Sequence, residues 1–470
     1  MAHTVTDEVP PQEPNQKLKR LLDEVGWSPE GLARRVNAAL RQYPGKRRIH
    51  EKTPYKWLRG TSPRAPIPDV VVGLLAQALQ RPISFDTVWS AAATSRPSRI
   101  LLGGDVDVPW DHTGLQHLLG EWQLSMLTRR TFLTLSGAAL TGPAWEWLDA
   151  PASIPEQTTS HRVPPSLVSL VEATVAGAQQ LDEEHGSAAA DFVASQFDSV
   201  ARLVRTSSYD AATGKRLCTA LAQLAQTSGW MAQEAALDGR AQRWYLTGLH
   251  AAHSAGDRGV AASIMALMSN QATALGKHRD ALQLAAAATE AASLTPPAVQ
   301  ALIASRSALA HAGAGDLTGV ERARDRAVDL ISKADEERPA WARYVTPTEL
   351  DAVAGRALVM LARQVPGRRG RLISEAEPLL RKRALDASDA HRRSALRHGA
   401  LLSLAYTGAG DLDQAVHAGH LAVRRLPMVT SARCLSLLDE LRTELTPHAR
   451  RLHSVQTLIG EIDQHVPRPG

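Results

Sequence analysis

Ala274-Leu275-Gly276-Lys277-His278-Arg279-Asp280-Ala281 has three counterparts in the same chain: Ala255-Gly256-Asp257-Arg258-Gly259-Val260-Ala261, Ala312-Gly313-Ala314-Gly315-Asp316-Leu317-Thr318-Gly319-Val320 and Thr407-Gly408-Ala409-Gly410-Asp411-Leu412-Asp413-Gln414-Ala415. In each, a glycine stands where one apolar helical pattern ends, the place where the left-handed conformation that closes a helix is cheapest. Five residues on, a small residue (Ala261, Ala281, Val320, Ala415) begins the packed face of the next helix. Small residues continue at helical spacing in the clearest copies, as Ala285 and Ala288 and as Gly419 and Ala422, and Pro427 follows Ala415 by twelve positions. Small side chains at this period let two helices cross closely. The chain is therefore all-α over this stretch.

This signature resembles the tetratricopeptide repeat, with Gly276, Gly315 and Gly410 marking three clear helix pairs; their spacing of about forty residues makes the repeats degenerate. From Pro165 to Val466 the pattern is helix after helix, broken at Gly256-Asp257, Gly276-Lys277, Pro296-Pro297, Gly315-Asp316, Pro366-Gly367, Gly410-Asp411 and Pro447. Five or six pairs fit between Thr213 and Val466. The fold expected is a small helix-turn-helix domain followed by a tetratricopeptide-like helical-hairpin solenoid.

The totals agree. A chain of 470 residues exceeds one compact core, and abundant alanine with six Tyr and four Phe favours helix over sheet. Cys218 and Cys434 sit in apolar helical patterns with no C-x-x-C spacing, which points to neither a disulfide framework nor zinc, and to a reducing cytoplasm. The opening MAHTVTDEVPPQEPNQ lacks the apolar region of a secretory signal, and no apolar run is long enough for a membrane span.

The net charge of +5 is unevenly placed. Between Asn15 and Arg64 thirteen Lys and Arg face four acids, a local surplus of nine, while residues 1–14 and the remaining four hundred are slightly acidic. A basic patch on a neutral body is the electrostatic footprint of nucleic-acid binding, although thirteen basic residues in fifty also describe an ordinary solvated surface. Residues 1–14 read as a disordered arm, 15–90 as a helical domain, 91–164 as a partly helical connector and 165–470 as the repeat domain. Within 15–90, Leu18, Leu21, Leu22 and Val25 share one face of a helix over 16–25. Ser28-Pro29 caps and starts a second helix carrying Leu32, Ala33, Val36 and Leu40 inward. Thr53-Pro54 repeats that device for a short helix ended by Gly60, and a fourth runs over Pro68–Gln80. On the short helix Trp57 and Leu58 face the core, which leaves Lys52, Thr53, Tyr55, Lys56 and Arg59 outward. With Arg34, Arg47 and Arg48 they form the expected DNA-binding set, mixing phosphate contacts with groups able to read base edges.

Leu32-Ala33-Arg34-Arg35-Val36-Asn37, Thr53-Pro54-Tyr55-Lys56-Trp57-Leu58-Arg59-Gly60 and Pro63-Arg64-Ala65-Pro66 together resemble the XRE/Cro-type helix-turn-helix. The whole chain, including Ala225–Ala232, Ala241–Tyr245 and Ala266–Ala272, resembles actinobacterial regulators that fuse such a module to tetratricopeptide repeats. The resemblance implies cytoplasmic, nucleoid-associated transcription control, often of development or secondary metabolism. One departure is the link from about Arg41 to Lys52, longer than in the compact phage-repressor type. The partners expected are double-stranded DNA, a second copy of the chain in a homodimer, and a peptide or protein effector in the repeat groove. No cofactor, metal or enzymatic activity is expected. The alternative from another class is a non-catalytic interaction scaffold whose basic module only docks partners or touches nucleic acid non-specifically.

Other signals read as structural. Thr128-Arg129-Arg130-Thr131-Phe132-Leu133 copies a twin-arginine export pattern but lies far from the N-terminus. His250/His253 and His417/His420 have a spacing that could seat a metal, with no local carboxylate or Cys to complete it. Thr213-Gly214-Lys215-Arg216 lacks the first glycine and the hydroxyl of a phosphate loop.

Overall fold

A computed structural model describes residues 14–40, 48–61, 63, 67–79, 88–89, 108–126, 134–334, 338–388 and 391–466. Arg47, most of the 41–52 link and the twin-arginine-like segment 128–133 lie outside them, as does the arm over 1–13. Twenty α-helices are present among the described residues, with no strand beyond isolated bridges. The all-α expectation holds. The chain divides into two compact units, residues 1–108 with 124–143, and residues 109–123 with 144–470.

The first unit contains α1 (Gln16–Val25), α2 (Pro29–Leu40), α3 (Thr53–Leu58) and α4 (Ile67–Leu79). Asn15 caps α1 by accepting from Leu18 N, and Gly26 closes it at φ 69°. Ser28 Oγ accepts from Gly31 N at 3.0 Å, the cap that Ser28-Pro29 foretold. The apolar faces meet in one core of Leu18, Leu22, Leu32, Val36, Trp57, Val71 and Leu75. Trp89 closes that core, set edge-on to Trp57 with centroids 6.1 Å apart, its ring N–H donating to Pro68 O.

The remaining helices are α5 (His112–Met126), α6 (Ala138–Asp149), α7 (Pro165–His185), α8 (Ala190–Thr206), α9 (Ala211–Glu234), α10 (Asp238–Ala255), α11 (Arg258–Ala274), α12 (His278–Ala292), α13 (Pro297–Gly313), α14 (Leu317–Ser332), α15 (Pro347–Gln364), α16 (Arg369–Ala384), α17 (Arg392–Ala409), α18 (Leu412–Val423), α19 (Ala432–Leu445) and α20 (His453–Asp463). Six hairpins follow one another from α9/α10 to α19/α20.

Their Gly-Asp joints do two jobs. Gly256, Gly315 and Gly410 take φ of 67°, 73° and 82°, while the next residue, Asp257, Asp316 or Asp411, accepts from the backbone N–H of Val260, Gly319 or Gln414 and so caps the following helix. Gly276 (φ 70°) closes its helix in the same way, but Lys277 behind it makes no side-chain cap. The small residues then pack as read: Ala281, Ala285, Ala288, Ala415 and Ala422 are buried. The α9/α10 crossing is tight at Gly229, where a Cβ would stand 2.5 Å from the Tyr245 ring. Gly229→Ala should therefore cost about 1–3 kcal/mol in urea unfolding; a change below 0.5 kcal/mol would mean that the crossing gives way freely.

Within this unit the two ends of the array meet. Helix α7 packs against both α9 and α17, and α9 reaches α19. Arg393 on α17 donates to both oxygens of Asp182 on α7 at 2.5 and 2.7 Å and to Glu183 at 2.8 Å. Arg397 meets Glu234 of α9 at 2.5 Å, and Arg433 of α19 grips Asp238 at 2.6 and 2.8 Å. Arg393, Asp182 and Glu234 are buried. Burial opposes charge on Arg393, but its carboxylate neighbours more than compensate and hold the guanidinium charged.

Residues 109–123 and 144–164 pack on the array. Trp110 stacks on His250 with ring centroids 3.9 Å apart, and Trp147 stands edge-on to His253. Both histidines are buried in this aromatic packing. Gln116 donates to Gln157 Oε1 and Val204 O.

Candidate nucleic-acid interface

The short helix α3 projects from the four-helix module because Pro54 and Trp57 anchor it while the alternating positions turn out. Its start differs from the cap-plus-proline reading. Thr53 is the first helical residue rather than the cap, and Lys52 at the cap position makes no side-chain bond. The entry is held instead by His50, whose carbonyl accepts from Thr53 N at 2.9 Å and whose Nδ1 accepts from Lys52 N at 3.2 Å. Gly60 (φ 102°) ends the helix, its N–H bonded to Trp57 O.

Asn37 fixes the chain that leads into α3. Its side chain accepts from Ile49 N at 2.8 Å and donates to Ile49 O at 2.9 Å, a two-point clamp on the far end of the long link. Asn15 N donates to Leu58 O and Asn15 Nδ2 to Val88 O, which seats the other end of α3 against α1.

Among the expected contact residues, Arg34, Arg48, Lys52, Lys56 and Arg59 are exposed, Thr53 is half-buried and Arg47 lies outside the described residues. None of Arg48, Lys52, Lys56 and Arg59 is paired with a carboxylate among the described residues. Arg59 Nε donates to Tyr55 O at 3.3 Å, which lays its side chain back along α3. Tyr55 is exposed, but its hydroxyl donates to Glu30 Oε1 at 2.6 Å. That bond holds the Glu30 carboxyl below its ordinary range and raises the Tyr55 phenol. Tyr55 thus ties α3 to the first turn of α2 and presents no free hydroxyl proton. Arg35, outside the expected set, lies over the Trp27 ring at 4.1 Å and donates to Gly31 O.

The arrangement offers a row of exposed cations on a short helix anchored by Pro54 and Trp57, with Arg34 on the helix before it. Such groups can neutralise phosphates, and Lys56 and Arg59 are long enough to reach base edges.

The SP15 N-terminal domain family matches residues 18–88, the span from α1 to the closing Val88-Trp89 segment. No curated protein matches the chain.

The rejected signals have structural places. Thr213–Arg216 lies at the start of α9. His420 Nδ1 meets Glu461 Oε2 of α20 at 2.7 Å, a partner beyond the local pattern. Among the described residues no three His, Cys, Asp or Glu are grouped to hold a metal ion, and no helix is long and apolar enough to cross a membrane. Cys218 and Cys434 are buried free thiols, and burial pushes Cys218 up to about 12.

A second concentration of charge escaped the sequence reading altogether. Arg306, Arg356, Arg393 and Arg397 line one cavity inside the repeat unit. They come from α13, α15 and α17, and only the i,i+4 placement of the last two on one helix was visible as a pattern.

Proposed function

We propose that this chain is a sequence-specific DNA-binding transcriptional regulator. Residues 15–90 act as a helix-turn-helix module of the XRE/Cro type, and the tetratricopeptide-like array serves dimerisation and effector binding. The observation that carries the reading is the seating of α3: Trp57 and Pro54 buried, Lys52, Lys56 and Arg59 exposed and unpaired with any described carboxylate. In a helix-turn-helix the second helix enters the major groove while the first braces across the backbone. Here α3 takes the first role and α2, with Arg34, the second. Tyr55 sets the angle between them through Glu30. A homodimer would set two copies of α3 on a paired site, and the resemblance to actinobacterial regulators supports a role in development or secondary metabolism, exercised in the cytoplasm on the nucleoid.

The test is fluorescence anisotropy of the full chain on its own promoter and on random duplex across a salt series. If four to six basic residues touch phosphates, log affinity falls against log salt with a slope of roughly −4 to −5. Lys56→Ala and Arg59→Ala should each weaken the promoter by about 1–3 kcal/mol where a base contact is lost, and random duplex by less. Promoter and random duplex left equally unbound at low salt would sink the reading in favour of the scaffold.

A further inference from the structure

The repeat unit encloses a cavity of about 400 Å³ between α7, α9, α11, α13, α15 and α17. Its charge is not balanced contact by contact. Arg393 is taken by Asp182 and Glu183, and Arg397 by Glu234. Glu349, also on the wall, is taken by Arg383.

Arg306 and Arg356 are different. Arg306 donates to Ser263 Oγ at 3.1 Å and to the Tyr344 hydroxyl at 2.8 Å, and Arg356 donates to Asn270 Oδ1 at 3.1 Å. Among the described residues neither forms an ion pair with a carboxylate. Neutral partners orient the two guanidinium groups without cancelling their charge. Burial of a cation without a counter-ion is costly, and it lowers Arg356 to about 10.

Two acceptors on the same wall are also unspent. Gln226 Oε1 and Glu183 Oε2 are buried and have no hydrogen-bond partner. Buried polar atoms are ordinarily satisfied, so two orphans beside two uncancelled cations describe a complementary absence. Leu267, Leu309 and Val353 supply apolar wall between them.

We infer that this cavity binds a small organic anion: an acidic group held by Arg306 and Arg356, an apolar body against Leu267, Leu309 and Val353, and a hydrogen-bond donor satisfying Gln226 or Glu183. The volume is that of a small-molecule site. Asp182 and Arg393, whose ion pair joins α7 to α17, form part of its wall. The occupant is therefore a single small molecule rather than an extended peptide. Calling it the effector rests on the regulatory reading above; the binding site itself does not.

The probe is 1-anilinonaphthalene-8-sulfonate, which carries a sulfonate, an aromatic body and one N–H donor, with uncharged N-phenyl-1-naphthylamine as its control. The wild-type chain should bind the sulfonate saturably at one site. Arg306→Gln and Arg356→Gln should each weaken it at least tenfold while leaving the uncharged dye within twofold. Equal loss of both dyes, or sulfonate affinity unchanged in both variants, overturns the inference.

Hydrogen exchange on the wild-type chain needs no variant. The sulfonate should slow exchange at the cavity-lining turns of α13 and α15, around Arg306 and Arg356. Absence of binding, or protection confined to other segments, also overturns the inference. Promoter affinity measured alongside separates the two readings, since the site can be present in a chain that binds no DNA and absent from one that does.

Discussion

Arg393→Ala should destabilise the protein by about 3–5 kcal/mol, read as a shift in the urea midpoint of the repeat unit. The size follows from what is left behind. Asp182 is 6 % exposed, and both its oxygens face Arg393 at 2.5 and 2.7 Å. Removing the guanidinium strands a buried carboxylate without its charged partner. Glu183→Gln touches the same arginine at its more exposed partner and should cost less than about 1 kcal/mol. Replacing Arg393 and Asp182 together by Met and Leu should recover most of the loss, because the desolvation cost disappears with both charges. If Arg393→Ala proves no worse than Glu183→Gln, the two ends of the array are joined by apolar packing and the ion pair contributes little.

Acid should weaken the repeat unit through two of its buried histidines. Burial pushes the imidazoles of His250 and His398 down to about 3, His250 with a further push from His253 nearby. Both rings are neutral in the fold: His250 lies flat on Trp110, and His398 Nδ1 donates to Ser394 O at 2.7 Å. In the unfolded chain they protonate near pH 6.5. A folded pKa depressed below the unfolded one means stability fully present above about 6.5 and lost as pH falls toward 3. Each ring's slope approaches about 1.4 kcal/mol per pH unit below its unfolded pKa, so the pair removes about 3 kcal/mol between pH 6.5 and 5. Three carboxyls raised by burial, Asp182 (to about 6), Asp257 and Glu349, work in the opposite direction as they take up protons. The clean readout is therefore a difference: His250→Gln should reduce the slope by about 1.4 kcal/mol per unit. Parallel wild-type and variant slopes would show that His250 titrates alike in both states.

Where the chain announces its turns with special residues, the fold is legible in advance. Gly26, Ser28, Gly256, Gly315 and Gly410 mark helix ends because left-handed backbone and N-caps demand particular side chains. The α9/α10 turn hides from this reading because Ala236 adopts φ 59°, a left-handed conformation that is costly for alanine and that no glycine announces. Thr53 misled for a related reason: the turn into α3 is held by His50, whose carbonyl and ring accept from Thr53 N and Lys52 N, rather than by a threonine side chain.

The basic row on α3 was legible because its charges are adjacent in sequence and face water. The cavity was not. Asp182 and Arg393 are 211 residues apart, and in an arginine-rich chain a lone Arg306 or Arg356 carries no local mark of lacking a counter-ion. Only packing shows which arginines are paired.

The central claim is that α3 brings this protein to particular DNA sites. Genome-wide occupancy mapping in the native host, with the wild-type chain and with a Lys56→Ala/Arg59→Ala double variant expressed at equal level, tests it most directly. Discrete peaks sharing one paired sequence motif, present for the wild type and lost in the variant, are the predicted result. Occupancy that is absent or featureless for the wild type, or peaks that survive the double variant unchanged, would contradict it.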